Sequence, residues 1–81
     1  MRVHLLYFAT FRDVAGRDRE DRQLAEGARV ADLWGELVGE MPGLARTGSM
    51  PPAAVNREYT GGETRLSEGD EVAFLPPVAG G

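Results

Sequence analysis

The chain has 81 residues, no cysteine, one histidine and a formal net charge of −4, from 13 acidic and 9 basic residues. A chain of this length predicts one small domain, and the lack of cysteine excludes a disulfide framework, a thiolate metal site and a cysteine nucleophile. The acidic charge argues against nucleic-acid binding, which needs a basic face, and favours docking on basic protein partners. We find no apolar run suited to a membrane span or a secretory signal and therefore expect a cytoplasmic protein.

The first predicted element is a strand over residues 2–9, RVHLLYFA. Alternation places Val3 and Tyr7 on one face of this strand, with Leu6 and Phe8 on the other. We expect the first face to lie in the core. The second face is unusually apolar for one that meets water. It is either covered by a helix or exposed as a surface for a protein partner.

A turn at residues 14–20 and a polar second strand at 19–24, suited to a sheet edge, are predicted next. The stretch GARVADLWGELVGEMPG follows, with apolar side chains spaced three and four apart. This spacing is typical of one stripe of a helix, and Pro42-Gly43 would end it. The apolar residues of the stripe are Val30, Leu33, Trp34, Leu37, Val38 and Met41.

Three short strands complete the predicted order: residues 53–56, residues 57–60 pairing back on them, and residues 71–75 after a Gly69-Asp70 turn. A hairpin, a helix and returning strands predict an α+β fold in which one helix packs on one face of a mixed sheet. This is the β-grasp, or ubiquitin-like, arrangement. We assign residues 1–75 to this domain and residues 76–81 to an extended C-terminal tail.

The sequence contains no constellation of residues typical of an active site. His4, predicted to lie on the outward face of the first strand, has no partner that would make it a base or a metal ligand, and we predict no metal site. The Gly61-Gly62 and Gly80-Gly81 pairs lack the strand and helix context of a phosphate-binding loop. An enzyme with its own active site is disfavoured. We predict instead a partner surface made of four exposed apolar side chains: Leu6, Phe8, Tyr59 and Leu75.

The ending FLPPVAGG is the most informative stretch. Pro76-Pro77 favours an extended, polyproline-like chain, while Val78, Ala79 and Gly80-Gly81 are small enough to enter a narrow channel. The chain would then present the terminal carboxylate of Gly81. This group is ionised and inert at neutral pH. Adenylation with ATP would make it an electrophile open to sulfur or amine nucleophiles.

Three stretches, LLYFATFRDVAG, AAVNREY and LSEGDEVAFLPPVAGG, resemble the MoaD family, the small sulfur-carrying subunits of molybdopterin synthase. The resemblance runs from Val3 to Gly81. It implies a subunit that is not catalytic alone and binds no cofactor. An E1-like, MoeB-like adenylyltransferase would use ATP to adenylate Gly81, and a sulfur donor protein would allow conversion to a thiocarboxylate.

The resemblance also implies where the sulfur goes. The tail from Pro76 to Gly81 would enter the active site of a MoaE-like large subunit. The thiocarboxylate would there give its sulfur to cyclic pyranopterin monophosphate to form molybdopterin. In the family the large subunit is a dimer with one small subunit at each end. Phe8, Tyr59 and Leu75 match family positions that contact partners.

Two other functions fit these observations. One is a sulfur carrier for thiazole synthesis, in the ThiS manner, or for tRNA thiolation. The other is a ubiquitin-like modifier that becomes conjugated through Gly81 to amines of other proteins. The stretch DEVAFLPPVAGG fits the molybdopterin branch better than either.

Overall fold

A computed structural model describes residues 1–45 and 49–75, which form a sheet with helices packed on one side of it. No helix in those two ranges is long and apolar enough to cross a membrane. In chain order the elements are β1 Arg2–Tyr7, α1 Ala9–Ala15, β2 Arg19–Gln23, α2 Val30–Glu40, a 3-10 helix Pro42–Ala45, β3 Ala53–Val55, β4 Glu58–Thr60 and β5 Glu71–Phe74.

The five strands lie in the order β2-β1-β5-β3-β4. β1 pairs in parallel with β5, while the β1–β2, β3–β4 and β3–β5 pairs are antiparallel. A parallel pair requires a crossover connection, and α2 lies in the segment that joins the two halves of the sheet. β2 is an edge strand, as its polar sequence predicts. The mixed β-grasp sheet expected from the sequence is confirmed.

The core lies between the sheet and α2. The inward residues of β1, from Val3 to Tyr7, are buried, as the alternation predicts. From α2, the predicted apolar stripe packs onto them. Trp34 is the central aromatic residue: its ring centroid lies 5.7 Å from that of Phe11 and 5.0 Å from that of Phe74. One side chain therefore joins α1, α2 and β5, and tilted aromatic pairs of this kind add to the energy of burial.

The sequence analysis missed α1. The chain leaves the sheet after Tyr7 rather than continuing to residue 9, and the predicted turn at 14–20 is mostly helix and loop. Phe11 is the only buried residue of α1, which is too short to give a 3.6-residue apolar pattern. The helix ends at Gly16, whose φ of 74° is left-handed and suits glycine. The correction does not change which residues of β1 face the core.

A polar network joins the edge strand β2 to the C-terminal half of α2. The Arg22 guanidinium lies 3.8 Å from Glu20 and 3.9 Å from Glu36, and it also pairs with Glu40. The buried Tyr7 hydroxyl donates a hydrogen bond to Glu20. Burial, followed by this hydrogen bond and the charge of Glu20, raises the pKa of Tyr7. The network provides a hydrogen-bond partner for the Tyr7 hydroxyl, the polar group that β1 places in the core.

We expect Tyr7 to stay protonated in the folded protein at about pH 11, above the usual tyrosine value. A Tyr59→Phe variant leaves Tyr7 as the only tyrosine, so tyrosinate absorbance reports its ionisation. Because the folded pKa is raised, the stability from neutral Tyr7 is fully present below about pH 10 and is lost as pH rises towards the folded pKa. Ionisation near pH 10 with an unchanged circular dichroism spectrum would contradict this account.

Trp34→Ala should lower the free energy of unfolding by about 3–5 kcal/mol, because it removes the ring that contacts two other aromatic side chains. Urea denaturation followed by circular dichroism measures this loss. Trp34→Phe, which keeps an aromatic ring in the core, is the matched control and should cost clearly less. A loss below about 1 kcal/mol for Trp34→Ala would show that α2 packs differently.

Candidate partner-binding site

The outer face of the sheet, opposite the helices, carries a row of side chains set by strand register. Leu6 is paired with Ala73, Ala73 with Ala54, and Ala54 with Tyr59. Paired residues on neighbouring strands point to the same face. Large side chains therefore stand at both ends of this row, with two alanines between them.

A groove of about 360 Å³ lies on this face. Apolar side chains make up most of its lining, and one charged pair closes part of it. The lining residues are Leu6, Phe8, Ala54, Arg57, Glu71, Ala73 and Leu75. A groove with mostly apolar walls and few polar groups is suited to binding an apolar part of another molecule.

Three of the four predicted surface residues, Leu6, Phe8 and Leu75, line this groove. Phe8 is 45% exposed, whereas Leu6 and Leu75 are half-buried. Tyr59 is 78% exposed and lies on the same face, beside Ala54, but is not part of the groove lining. The helices pack on the opposite face, so the idea that a helix covers these side chains is wrong. Their role in binding a partner stays a prediction.

The sequence analysis missed four lining residues: Ala54, Arg57, Glu71 and Ala73. Alternation in AAV and EVAF places Ala54 and Ala73 on the outward face of their strands. The sequence alone does not indicate that these two alanines form the floor of a groove. That role appears only when the register brings Ala54 and Ala73 side by side.

The β3–β4 turn fixes Arg57 at the rim of the groove. Asn56 and Arg57 have φ values of 52° and 71°, as in a two-residue type I′ turn. The Asn56 side-chain amide donates to Asp70 at 3.0 Å, and its carbonyl accepts from the Glu71 backbone N–H at 3.0 Å. The turn is thus held against the start of β5. The Arg57 Nε atom lies 3.9 Å from the Glu71 carboxylate.

Charged side chains form a second row on the outer face, next to the apolar one. His4 Nδ1 lies 2.6 Å from the Asp21 carboxylate, and His4 is paired in register with Glu71. The hydrogen bond from His4 is the main cause that holds the pKa of Asp21 below its ordinary value. His4 is on the outward face, as predicted, and its ring nitrogen is hydrogen-bonded to Asp21.

The described groove offers apolar contacts and one charged pair. Within residues 1–45 and 49–75, no group of three or more histidines and acids could hold a metal ion. The described groove lining offers a paired arginine and glutamate and otherwise apolar side chains, so no nucleophile or free base faces it.

The last described residue of the chain, Leu75, lies at the groove. Leu75 donates its backbone N–H to the Pro52 carbonyl at 2.9 Å and forms part of the groove wall. The predicted tail residues, Pro76, Pro77, Val78, Ala79, Gly80 and Gly81, lie outside the described part of the chain. The boundary at residue 75 and the roles of these six residues stay predictions.

A family model described as the ThiS family matches residues 5–81. The molybdopterin synthase sulfur carrier subunit of Chlamydomonas reinhardtii is 36% identical over 83 residues, which cover all of both chains. Small archaeal modifier protein 3 of Haloferax volcanii is 37% identical over 93 residues, again covering both chains fully. A solved structure of a Pyrococcus furiosus protein, described as molybdopterin converting factor subunit 1, has a TM-score of 0.84 at 35% identity and covers 96% of this chain and 99% of that one.

These matches extend over nearly the whole chain and agree in sequence and in fold. They also confirm the resemblance to the MoaD-type carriers on which the sequence analysis relied. The chain therefore belongs to the ThiS family, and it is a homologue of the molybdopterin synthase sulfur carrier subunits.

Proposed function

We propose that this protein is the sulfur carrier subunit of a molybdopterin synthase. The observation that carries the proposal is the full-length similarity to the Chlamydomonas reinhardtii carrier subunit, with a family match that reaches Gly81. The outer-face groove supports it, because a carrier must dock on other proteins, and Leu75, the last described residue, lies at the groove.

The proposed chemistry takes place at the Gly81 carboxylate. A carboxylate oxygen attacks the α-phosphorus of ATP, pyrophosphate leaves and an acyl adenylate forms. This step is catalysed by an E1-like, MoeB-like partner. A donor protein supplies sulfur at the sulfide level, which attacks the carbonyl carbon of the adenylate, displaces AMP and leaves a thiocarboxylate at the chain end.

The recipient in this proposal is a MoaE-like large subunit, which holds the active site and binds cyclic pyranopterin monophosphate. The tail delivers the thiocarboxylate to that site and its sulfur bonds to the substrate. Water then cleaves the bond between the Gly81 carbonyl carbon and the sulfur, so the sulfur stays on the substrate and Gly81 returns to a carboxylate. Because a dithiolene contains two sulfur atoms, each product requires two deliveries. A large-subunit dimer with one carrier at each end makes the assembly a heterotetramer, with the carrier as its non-catalytic subunit.

The second candidate function is protein modification. It is favoured by the 37% identity to small archaeal modifier protein 3. In that case the Gly81 adenylate reacts with an amine of another protein, and an amide replaces the transient thiocarboxylate. High-molecular-weight adducts on a denaturing gel, dependent on Gly81, would support a modifier. A carrier for thiazole synthesis or tRNA thiolation would instead require a different sulfur acceptor.

The first test uses the protein with a C-terminal thiocarboxylate, mixed with a molybdopterin synthase large subunit and cyclic pyranopterin monophosphate. We expect molybdopterin only when the thiocarboxylate form is present. The carboxylate form is the control. A lack of product with a large subunit that works with its own carrier would contradict the proposal and favour one of the other acceptors.

Deleting Gly81, or extending the chain beyond it, should abolish sulfur transfer, because the reacting carboxyl group would be removed or displaced. The fold should not change, since Gly81 follows the last strand by several residues. Molybdopterin formation and circular dichroism measure the two effects. Activity equal to that of the unaltered chain would place the reacting group elsewhere.

Phe8→Arg should weaken binding to the large subunit about tenfold or more, because it replaces an apolar side chain of the groove wall with a charged one that a partner would have to desolvate. Val14→Arg is the matched control: Val14 is 39% exposed, lies on α1 and is not part of the groove lining. Isothermal titration calorimetry measures both affinities. Equal affinities for the two variants, both folded, would show that the groove is not the docking surface.

A further inference from the structure

We infer that the outer edge of β2 pairs with β2 of a second copy of this chain and joins the two sheets in an antiparallel dimer. β2 is an end strand of the sheet, and within the described ranges no strand pairs with its outer edge. The directions of the backbone groups on that edge and the charges of Arg19–Gln23 identify the occupant. The inference is independent of the proposed function.

The register of β1 and β2 shows which backbone groups of β2 point away from the sheet. The Tyr7 N–H donates to the Asp18 carbonyl at 2.9 Å. Hydrogen-bonded pairs alternate along an antiparallel ladder, so Glu20 and Arg22 also direct their backbone groups at β1. The N–H and C=O groups of the three other residues of β2 therefore point to the outer edge. These residues are Arg19, Asp21 and Gln23.

The spacing of these outward groups favours one register for two copies. In a two-fold pairing centred on Asp21, this residue faces Asp21 of the second copy, and Arg19 faces Gln23 on either side of the centre. All three outward residues then form hydrogen-bonded pairs. Each pair exchanges two hydrogen bonds, which gives about six in all. Centring the pairing on any other residue of β2 leaves at least one of the three without a bonding partner in the second β2.

The charges on the helix side of β2 match this register. Glu20 of one copy faces Arg22 of the other on both sides of the two-fold axis. Opposite charges across a non-hydrogen-bonded pair, where side chains are closest, stabilise antiparallel strands. A pairing centred on Glu20 or on Arg22 would instead place like charges opposite each other. Charged side chains protect an edge strand from indiscriminate pairing, and here their order matches a second copy.

The side chains of the Glu20–Arg22 contact are already positioned in a single copy. Glu20 accepts a hydrogen bond from the buried Tyr7 hydroxyl, and the Arg22 guanidinium lies 3.8 Å from the Glu20 carboxylate. The side chain of Arg22 is only 13% exposed. Pairing therefore orders few additional torsions, which lowers the entropic cost of association.

The outer face carries an unfavourable contact. The two copies of Asp21 lie opposite each other, and like charges directly opposite destabilise a sheet. Each carboxylate is hydrogen-bonded to the His4 ring nitrogen of its own copy at 2.6 Å. Arg19 of the second copy is its diagonal neighbour, within reach of a long side chain. We therefore expect a weak dimer whose strength depends on the charge at residue 21. The groove stays open, because its lining contains no residue of β2.

The first test is disulfide cross-linking, which reports the register because the chain contains no cysteine of its own. The two Asp21 Cα atoms would be about 5.5 Å apart, within the usual range for a disulfide. Asp21→Cys should therefore form a covalent dimer when oxidised glutathione accepts the two electrons of the two thiols. Arg19→Cys is the matched control, because its two copies would lie about 13 Å apart along the strands. It should remain a monomer on a non-reducing gel but cross-link when mixed with Gln23→Cys.

The second test measures the dimer without a covalent bond, by sedimentation equilibrium at increasing protein concentration. Asp21→Asn removes the like charges and keeps the edge N–H, so it should tighten the dimer by up to about fivefold. Asp21→Pro removes that N–H and should leave a monomer. Because this N–H points away from β1, the sheet should tolerate proline there, which circular dichroism checks.

Three results would overturn the inference. The first is a monomer at all concentrations for both the unaltered chain and Asp21→Asn. The second is equal cross-linking of Asp21→Cys and Arg19→Cys. The third is a dimer that a folded Asp21→Pro variant retains, which would place the contact on another surface. Phe8→Arg, which changes the groove wall, should dimerise as the unaltered chain does.

Discussion

The parallel pairing of β1 with β5 is the constraint on which the rest of the molecule depends. It joins the first and last strands at the middle of the sheet and fixes Leu6 next to Ala73. The same register brings Phe74 over the core and against Trp34, so the inner and outer faces are set together. Because side chains alternate along a strand, a shift of one residue would move the groove lining into the core.

The two faces of the sheet differ in how their polar side chains are paired. On the inner side, the single phenol of Tyr7 is matched by Glu20, and Arg22 links that carboxylate to α2. On the outer side, the hydrogen-bonded His4 and Asp21 lie in the row of polar side chains next to the apolar groove. The acidic excess of the chain is therefore not concentrated in the groove, whose charged lining is one arginine and one glutamate.

Much of the fold could be predicted because it depends on local patterns. Alternation in β1 and the apolar stripe of α2 are strong signals, and both assign the correct buried side chains. α1 gave no such signal, since a two-turn helix with one buried residue, Phe11, has no measurable period. The edge position of β2 followed from its charges.

The candidate site was predictable only in part. Phe8 is a large apolar residue on the outward side of the first predicted strand. The sequence analysis therefore predicted it as part of a partner surface, and it lines one side of the groove. The floor of the groove could not be predicted, because Ala54 and Ala73 are 19 residues apart and become neighbours only through the register of β3 and β5. The position of Arg57 likewise depends on the left-handed backbone of the β3–β4 turn. The sequence analysis did not predict this backbone conformation.

The position of β5 has a consequence for the synthesis of the protein. His4 pairs with Glu71, so the central pair of strands joins segments from near the two ends of the described chain. Contacts of such high sequence separation form late and slowly, and the sheet cannot close before residues 71–74 have left the ribosome. A nascent chain interrupted earlier lacks its central strand and exposes its core. A chain that ends before β5 therefore cannot complete the sheet, and its exposed apolar residues would make it open to proteolysis.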